Sequence, residues 1–230
     1  MAIISRPSPN FNDRPAGKNP DMILLHYTGM PTAADALRRL CDPAAKVSSH
    51  YVIDEDGTIY QLVDESRRAW HAGVGYWAGE TDINGISIGI EMVNPGHEFG
   101  YRPFPTKQME SVAQLCADIM KRHAIAPRRV LGHSDVAPTR KTDPGELFDW
   151  RFLAARGIGL MPPKSITPRP IPPTEAQKLL SQIGYQIDAT GILDDQTNVV
   201  IVAFQRHFCP DQLGVGLSDI TMGALVEISR

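Results

Sequence analysis

Residues 86–93 read Ile86-Ser87-Ile88-Gly89-Ile90-Glu91-Met92-Val93. Large apolar side chains stand at 86, 88, 90 and 92, and this period-two alternation predicts a strand with that face in a core. The opposite face offers Ser87, Gly89 and Glu91: two small residues that clear room beside one carboxylate. Glu91 fits a structural ion pair there. It also fits a general base, provided it lies within hydrogen-bond reach of the water it activates.

Outward from this strand, strand-like and helix-like patterns alternate. Met22-Ile23-Leu24-Leu25 predicts a short buried strand ending at His26. His50-Tyr51-Val52-Ile53, the turn Asp54-Glu55-Asp56-Gly57 and Thr58 to Val63 predict a hairpin. From Thr106 to His123, Met109, Val112, Ala113, Cys116, Ile119 and Met120 follow helical spacing, which assigns Cys116 to core packing. Arg129-Val130-Leu131-Gly132 predicts another short strand delivering His133, and Glu146 to Ala155 a helix stopped by Gly157. Strands interspersed with helices predict an α/β (α+β) fold, a central mixed sheet flanked by helices.

Proline divides the chain. Six of the 19 prolines (162, 163, 168, 170, 172 and 173) fall between Met161 and Pro173. Lacking an amide hydrogen and fixed in φ, they exclude a helix interior or a central strand and predict an extended, semi-rigid spacer. The expected units are therefore 1–160, a linker at 161–173, and 174–230. Charge differs across the joint: residues 174–230 hold seven acids and three bases (net −4), and residues 1–173 hold nineteen and twenty (net +1). The second unit reads as a small three-helix bundle. Glu175 to Ile183 ends at Gly184, and two echoes follow, Asp195-Gln196-Thr197 before Val199-Val200 and Asp219-Ile220-Thr221 before Leu225-Val226.

Bulk properties exclude several classes. The 230 residues carry a net charge of −3, without the basic excess of a dedicated nucleic-acid binder. Cys41, Cys116 and Cys209 are far apart and form no Cys-x-x-Cys pair, which argues against a disulfide framework or a cysteine zinc knuckle. The longest apolar run, Val199 to Phe204, is too short for a membrane span. Met1 to Pro7 lacks the apolar stretch of a secretory signal, so a cytoplasmic location is expected, with the periplasm as the alternative if a leader has been removed. Oligomeric state has no signature in the sequence.

Of seven histidines, His97, His123 and His207 lie in polar or helix-end contexts and read as surface or packing residues. His26 and His133 differ because each ends an apolar strand, where open sheets place ligands. Two such histidines plus a carboxylate would make a three-ligand zinc site with one open position. The carboxylate candidates are Asp135 and Asp143, the latter in Arg140-Lys141-Thr142-Asp143-Pro144-Gly145. Lys141 would then supply a cation beside the metal for a developing oxyanion, or be an ordinary solvated lysine. His133-x-Asp135 is also half of an iron(II) site, but only His207, in the helical unit, remains as its distal histidine. His133-Ser134-Asp135 has serine-triad letters without a Gly-x-Ser-x-Gly elbow.

Taken in order, six segments carry a family resemblance. They are Leu24-Leu25-His26-Tyr27-Thr28; Ser48-Ser49-His50-Tyr51-Val52-Ile53 with Asp56-Gly57; Arg68-Ala69-Trp70-His71-Ala72-Gly73; Ser87-Ile88-Gly89-Ile90-Glu91; Gly132-His133-Ser134-Asp135-Val136-Ala137-Pro138; and Arg140-Lys141-Thr142-Asp143-Pro144-Gly145. Residues 20–155 thereby resemble the zinc-dependent N-acetylmuramoyl-L-alanine amidases of the peptidoglycan-recognition-protein-like fold, in their AmpD/AmiD branch. The resemblance implies zinc ligands His26, His133 and Asp143, Glu91 as general base, Lys141 as oxyanion stabiliser, and Tyr27, His50, Trp70, His71 and Asn84 as groove residues in contact with substrate. It implies hydrolysis of the amide joining the lactyl group of N-acetylmuramic acid to L-alanine, in polymeric peptidoglycan or in anhydro-muropeptides. The acidic stretch Gly79-Glu80-Thr81-Asp82 departs from muropeptide-specific relatives. Residues 172–230 resemble a small helical peptidoglycan-binding domain through Ala176-Gln177-Lys178-Leu179-Leu180, Gly184-Tyr185, Thr190-Gly191-Ile192-Leu193-Asp194, Thr197 and Ala203-Phe204-Gln205, with Val199-Val200 departing from the usual alanine-valine. The competing functions are a non-catalytic peptidoglycan-recognition module and a metallopeptidase cutting within the stem peptide.

Overall fold

The computed structural model describes residues 3–230; the first two residues of the expected 1–160 unit lie outside the described residues. Among the described residues there are eight strands: β1 (Ile3–Ser5), β2 (Phe11–Asp13), β3 (Met22–Tyr27), β4 (Tyr51–Ile53), β5 (Ile59–Gln61), β6 (Arg67–Ala69), β7 (Ser87–Met92) and β8 (Val130–Gly132). Six form one mixed sheet in the order β1-β5-β4-β7-β3-β8, and β2 pairs with β6 apart from it. β4, β7, β3 and β8 run parallel, while β4 and β5 form the expected antiparallel hairpin. A parallel sheet is covered on both faces, and Met22 to Leu25 are fully buried accordingly.

The helices are α1 (Ala33–Leu40), α2 (Ile83–Ile86), α3 (Gly96–Phe99), α4 (Thr106–His123), α5 (His133–Val136), α6 (Trp150–Ala154), α7 (Pro173–Ile183), α8 (Asp195–Phe208) and α9 (Asp219–Ile228). The apolar stripe of α4 covers one face of the sheet, with Val112, Cys116 and Ile119 in one core with Ile23, Leu25, Ile88 and Ile90. The other face of β3 carries Met22, Leu24 and then His26, so the functional residues lie on the side away from α4. Several boundaries differ from expectation: Pro173, assigned to the linker, instead opens α7, where a first-turn proline loses no intrahelical bond. Ile86 closes α2, whose cap Asp82 accepts from the Gly85 amide, and the strand starts at Ser87. The helix expected from Glu146 is confined to Trp150–Ala154, because Asp149 caps it and Tyr101 ties down the preceding loop, donating to Pro144 O and accepting from Leu147 N.

The proline-rich segment 161–172 has no helix or strand, yet it is not detached. Arg169 N donates to Asp219 O, Ile171 N donates to Met222 Sδ, and Arg151 donates to Pro162 O. Gly223 of α9 has no room for a side chain against Thr167 O. The three C-terminal helices share one continuous core with the sheet: Met22, Leu24, Trp77, Ile83 and Val136 cluster with Leu180, Tyr185, Phe204, Phe208 and Leu225. No helix among the described residues is long and apolar enough to cross a membrane.

Candidate active site

Three adjacent parallel strands deliver the site at their carboxyl ends, where open sheets place ligands. His26 is the fifth residue of β3, Glu91 is its register partner on β7, and His133 opens α5 directly after β8. Asp143 enters from the following loop, whose backbone is held to α5 by the bond from Ser134 N to Asp143 O, 2.9 Å.

His26 Nδ1 lies 2.9 Å from both His133 Nδ1 and Asp143 Oδ2, and His133 Nδ1 lies 3.1 Å from Asp143 Oδ2. His133 Nε2 donates to Ala72 O, 2.8 Å, which leaves the Nδ1 lone pair of neutral His133 facing the other two atoms. Three electron-pair donors so packed repel one another unless a cation sits among them. Tetrahedral zinc with bonds of about 2.0–2.1 Å separates its ligand atoms by about 3.3 Å, so the group fits a metal ion. Burial and the neighbouring His133 lower His26 to about 4, favouring the neutral form that ligation needs. Burial alone would raise the Asp143 carboxyl, but His133 and His26 outweigh it and hold it ionised.

Glu91 stands next to this group with its Oε2 buried and without a hydrogen-bond partner. Burial raises its carboxyl well above the usual range, Asp143 adds to the shift, and Lys141 opposes it. Both Glu91 and Lys141 line a cleft of about 750 Å³ together with the three ligand candidates. Asp135, the other carboxylate candidate, is turned away from the group: it accepts from Gly132 N, Tyr185 Oη and His207 Nδ1. The same contacts leave no ligand role for the His133-x-Asp135 pairing with His207.

Tyr27, Trp70 and His71 line the cleft. Tyr27 Oη lies 3.0 Å from His97 Nδ1 and 3.1 Å from Thr142 Oγ1, and Trp70 Nε1 donates to Asn12 Oδ1. His71 Nδ1 lies 3.1 Å from His26 Nε2, so it backs a ligand candidate. It occupies the space cleared by Gly89, where an added Cβ would stand 2.5 Å from the imidazole. His50 and Asn84 do not line the cleft, which corrects the expectation of substrate contact. His50 is fully buried, accepting from Gly89 N and donating to Arg67 O. Asn84 Oδ1 accepts from the amides of His71 and Ala72 and so braces the cleft wall. The acidic stretch is likewise not in the cleft: Glu80 pairs with Lys18, and Asp82 pairs with Arg68.

Sequence reasoning gave no role to Arg39, Phe99 or Arg140, which also line the cleft. Arg140 donates to Val74 O and Ala72 O; it opens the segment Arg140 to Gly145, whereas Arg39 and Phe99 carry no local signal. His207, read as a helix-end residue, is 1% exposed and bridged to Asp135.

A mixed sheet that gathers two histidines and an aspartate at its strand ends, beside a glutamate whose Oε2 is buried and unpaired, defines a hydrolase whose site can hold a metal ion. Comparison with known proteins narrows this class. Residues 16–146 match the model of the N-acetylmuramoyl-L-alanine amidase family, and residues 172–215 match a putative peptidoglycan binding domain. N-acetylmuramoyl-L-alanine amidase AmiD of Escherichia coli (strain K12) is 35% identical over 227 residues, covering 90% of this chain and 80% of that protein. The 1,6-anhydro-N-acetylmuramyl-L-alanine amidase AmpD of the same strain is 35% identical over 161 residues, 63% of this chain and 86% of that one. Among solved structures, the AmiD complex with anhydro-N-acetylmuramic acid-L-Ala-D-γ-Glu-L-Lys superposes with TM-score 0.79 at 30% identity, covering 95% of this chain and 96% of that one. AmpDh3 of Pseudomonas aeruginosa gives 0.82 at 31% identity, covering 93% and 92%. The chain belongs to the N-acetylmuramoyl-L-alanine amidase family. It is an enzyme that hydrolyses the amide between N-acetylmuramic acid and L-alanine, as the resemblance implied.

Proposed function

We propose that His26, His133 and Asp143 hold a zinc ion and that Glu91 and Lys141 act beside it on a muropeptide substrate. The observation that carries this reading is the meeting of three electron-pair donors within 3.1 Å beside the unpaired Glu91 Oε2. Bound zinc supplies Lewis acidity, which polarises a carbonyl and acidifies water. Glu91 takes the proton of the attacking water and passes it to the departing alanine nitrogen. The Lys141 ammonium offsets the charge that develops on the carbonyl oxygen. Tyr27 and Trp70 flank the scissile region, and His71 fixes the ring of His26. The chain then divides into a catalytic unit, 1–160, and a peptidoglycan-binding module, 174–230, joined by 161–173; the separate family matches support this division.

The crystallised AmiD and AmpDh3 complexes carry anhydromuramoyl peptides, and that chemistry is the substrate class proposed for this chain. The test incubates purified protein with an anhydro-N-acetylmuramyl peptide and, separately, with polymeric peptidoglycan, with and without chelator, and identifies products by mass spectrometry. Chelator-sensitive release of the intact peptide starting at L-alanine supports the reading. Cleavage inside the stem peptide, or release indifferent to chelator, contradicts it. The relative rates on the two substrates decide between fragment and polymer.

A further inference from the structure

Helix α8 of the C-terminal bundle ends against the back of the site. Its residue His207 is 1% exposed, stacked between Trp150 and Phe208 at ring-centroid distances of 3.6 and 3.9 Å. His207 Nδ1 donates to Asp135 Oδ2 at 2.7 Å. Tyr185, also from the bundle, donates to the other oxygen of Asp135 at 2.7 Å, and Gly132 N donates to Oδ2 at 2.8 Å. Asp135 lies in the same helical turn as His133, and Gly132 immediately precedes that histidine. The buried carboxylate is thus held by one bond from the strand end that delivers His133 and two from the bundle.

The preceding residue faces the second ligand segment. Arg206 Nε lies 3.6 Å from Glu146 Oε2, an ion-pair approach too long for a hydrogen bond, in the loop that carries Asp143. Glu146 also faces His97 Nε2 at 3.2 Å, and His97 Nδ1 meets Tyr27 Oη, which touches Thr142. Two consecutive residues of α8 therefore meet the two chain segments that supply His133 and Asp143, His207 through a hydrogen bond to Asp135 and Arg206 through its charge facing Glu146.

We infer that Arg206 and His207 are positioning residues for the His26–His133–Asp143 group, which makes the C-terminal bundle part of the catalytic scaffold. This inference rests on the metal reading above. Groups outside the ligand shell that orient ligands tune metal affinity, and their loss costs about 10- to 100-fold. A bundle that only stabilises the fold would instead lower the melting temperature and leave metal binding by the folded protein unchanged.

The test uses the full-length chain and three readouts: zinc affinity by competition with a chromophoric chelator, the visible d–d absorption of the cobalt-loaded protein, and the melting temperature without metal. His207→Leu removes the donor to Asp135, whereas His207→Asn keeps an N–H at the Nδ1 position. Arg206→Met removes the cation facing Glu146, whereas Arg206→Lys keeps it. The expected result is zinc binding weakened about tenfold or more and an altered cobalt spectrum in His207→Leu and Arg206→Met, with recovery in the Asn and Lys variants. If His207→Leu fails to fold, Arg206→Met and its Lys rescue decide the question. Unchanged affinity and spectrum in the folded variants overturn the inference while the metal site stands. Failure of the wild-type protein to bind zinc or cobalt overturns the metal reading itself and this inference with it.

Discussion

Two part-buried glutamates show how surroundings set a residue's task. Glu65 accepts from Arg122, His123 and Tyr51 at 2.6–2.7 Å, and these partners overcome the upward push of burial and lower its pKa to about 2. Glu91 has no such set; its Oε2 is unpaired and its carboxyl is raised. Glu91→Gln should cut kcat by about 10²- to 10⁴-fold while zinc content stays stoichiometric, since the group moves protons without holding metal; steady-state kinetics with metal analysis checks this. For Glu65 the consequence is stability. Its folded pKa lies below the ordinary value, so its contribution is fully present above about 4.5 and is lost as pH falls toward 2. Glu65→Gln should therefore destabilise the protein at pH 7 by on the order of 2 kcal/mol, a gap that narrows on acidification; urea titrations at pH 7 and pH 3 measure it. At this scale the sequence exposed His26, His133 and Glu91, because strand ends and period-two faces are local features. His50 and Asn84 leave no local signal, because their partners come from distant parts of the chain: Arg14 Nη2 lies 3.1 Å from His50 Nε2 and Arg14 Nη1 donates to Asn84 O, while Arg67 O and the His71 amide complete the two sets.

At the scale of elements, the strongly periodic segments were readable. The stripe of α4 runs from Thr106 to His123 as the spacing requires, and the hairpin β4–β5 sits where its turn predicts. Strands β1, β2 and β6 were not read: each is three residues long, β1 and β2 are wholly exposed, and pairing rather than periodicity creates them. The cleared face of β7 was recognised, but its use was not. The room above Gly89 holds the His71 ring, which in turn contacts His26. Gly89→Ala should force that ring aside, costing about 1–3 kcal/mol of stability, and should lower activity more than the stability loss explains. Thermal melts together with kcat measured well below the transition separate the two effects.

For the whole molecule, composition located the joint and missed its tightness. Prolines exclude regular structure from 161–172, as the chain shows, but they cannot report that the segment is hydrogen-bonded along α9. The pairing of Asp135 with His207, 72 positions apart, leaves no trace in local pattern. Because one apolar cluster runs from Met22 and Leu24 through Trp77 to Phe204 and Leu225, the chain should unfold as a unit. Differential scanning calorimetry should show one transition; two resolved transitions would contradict a common core.

The strapped proline segment has a further bearing on how the enzyme meets its material. A module on a loose tether searches a sphere and raises the effective concentration of nearby bonds over the length of its leash. Here the segment is laid along α9 and the bundle is docked, so the leash has no slack. The offset between bundle and cleft is therefore set by packing and strap together, and does not vary as a leash would let it.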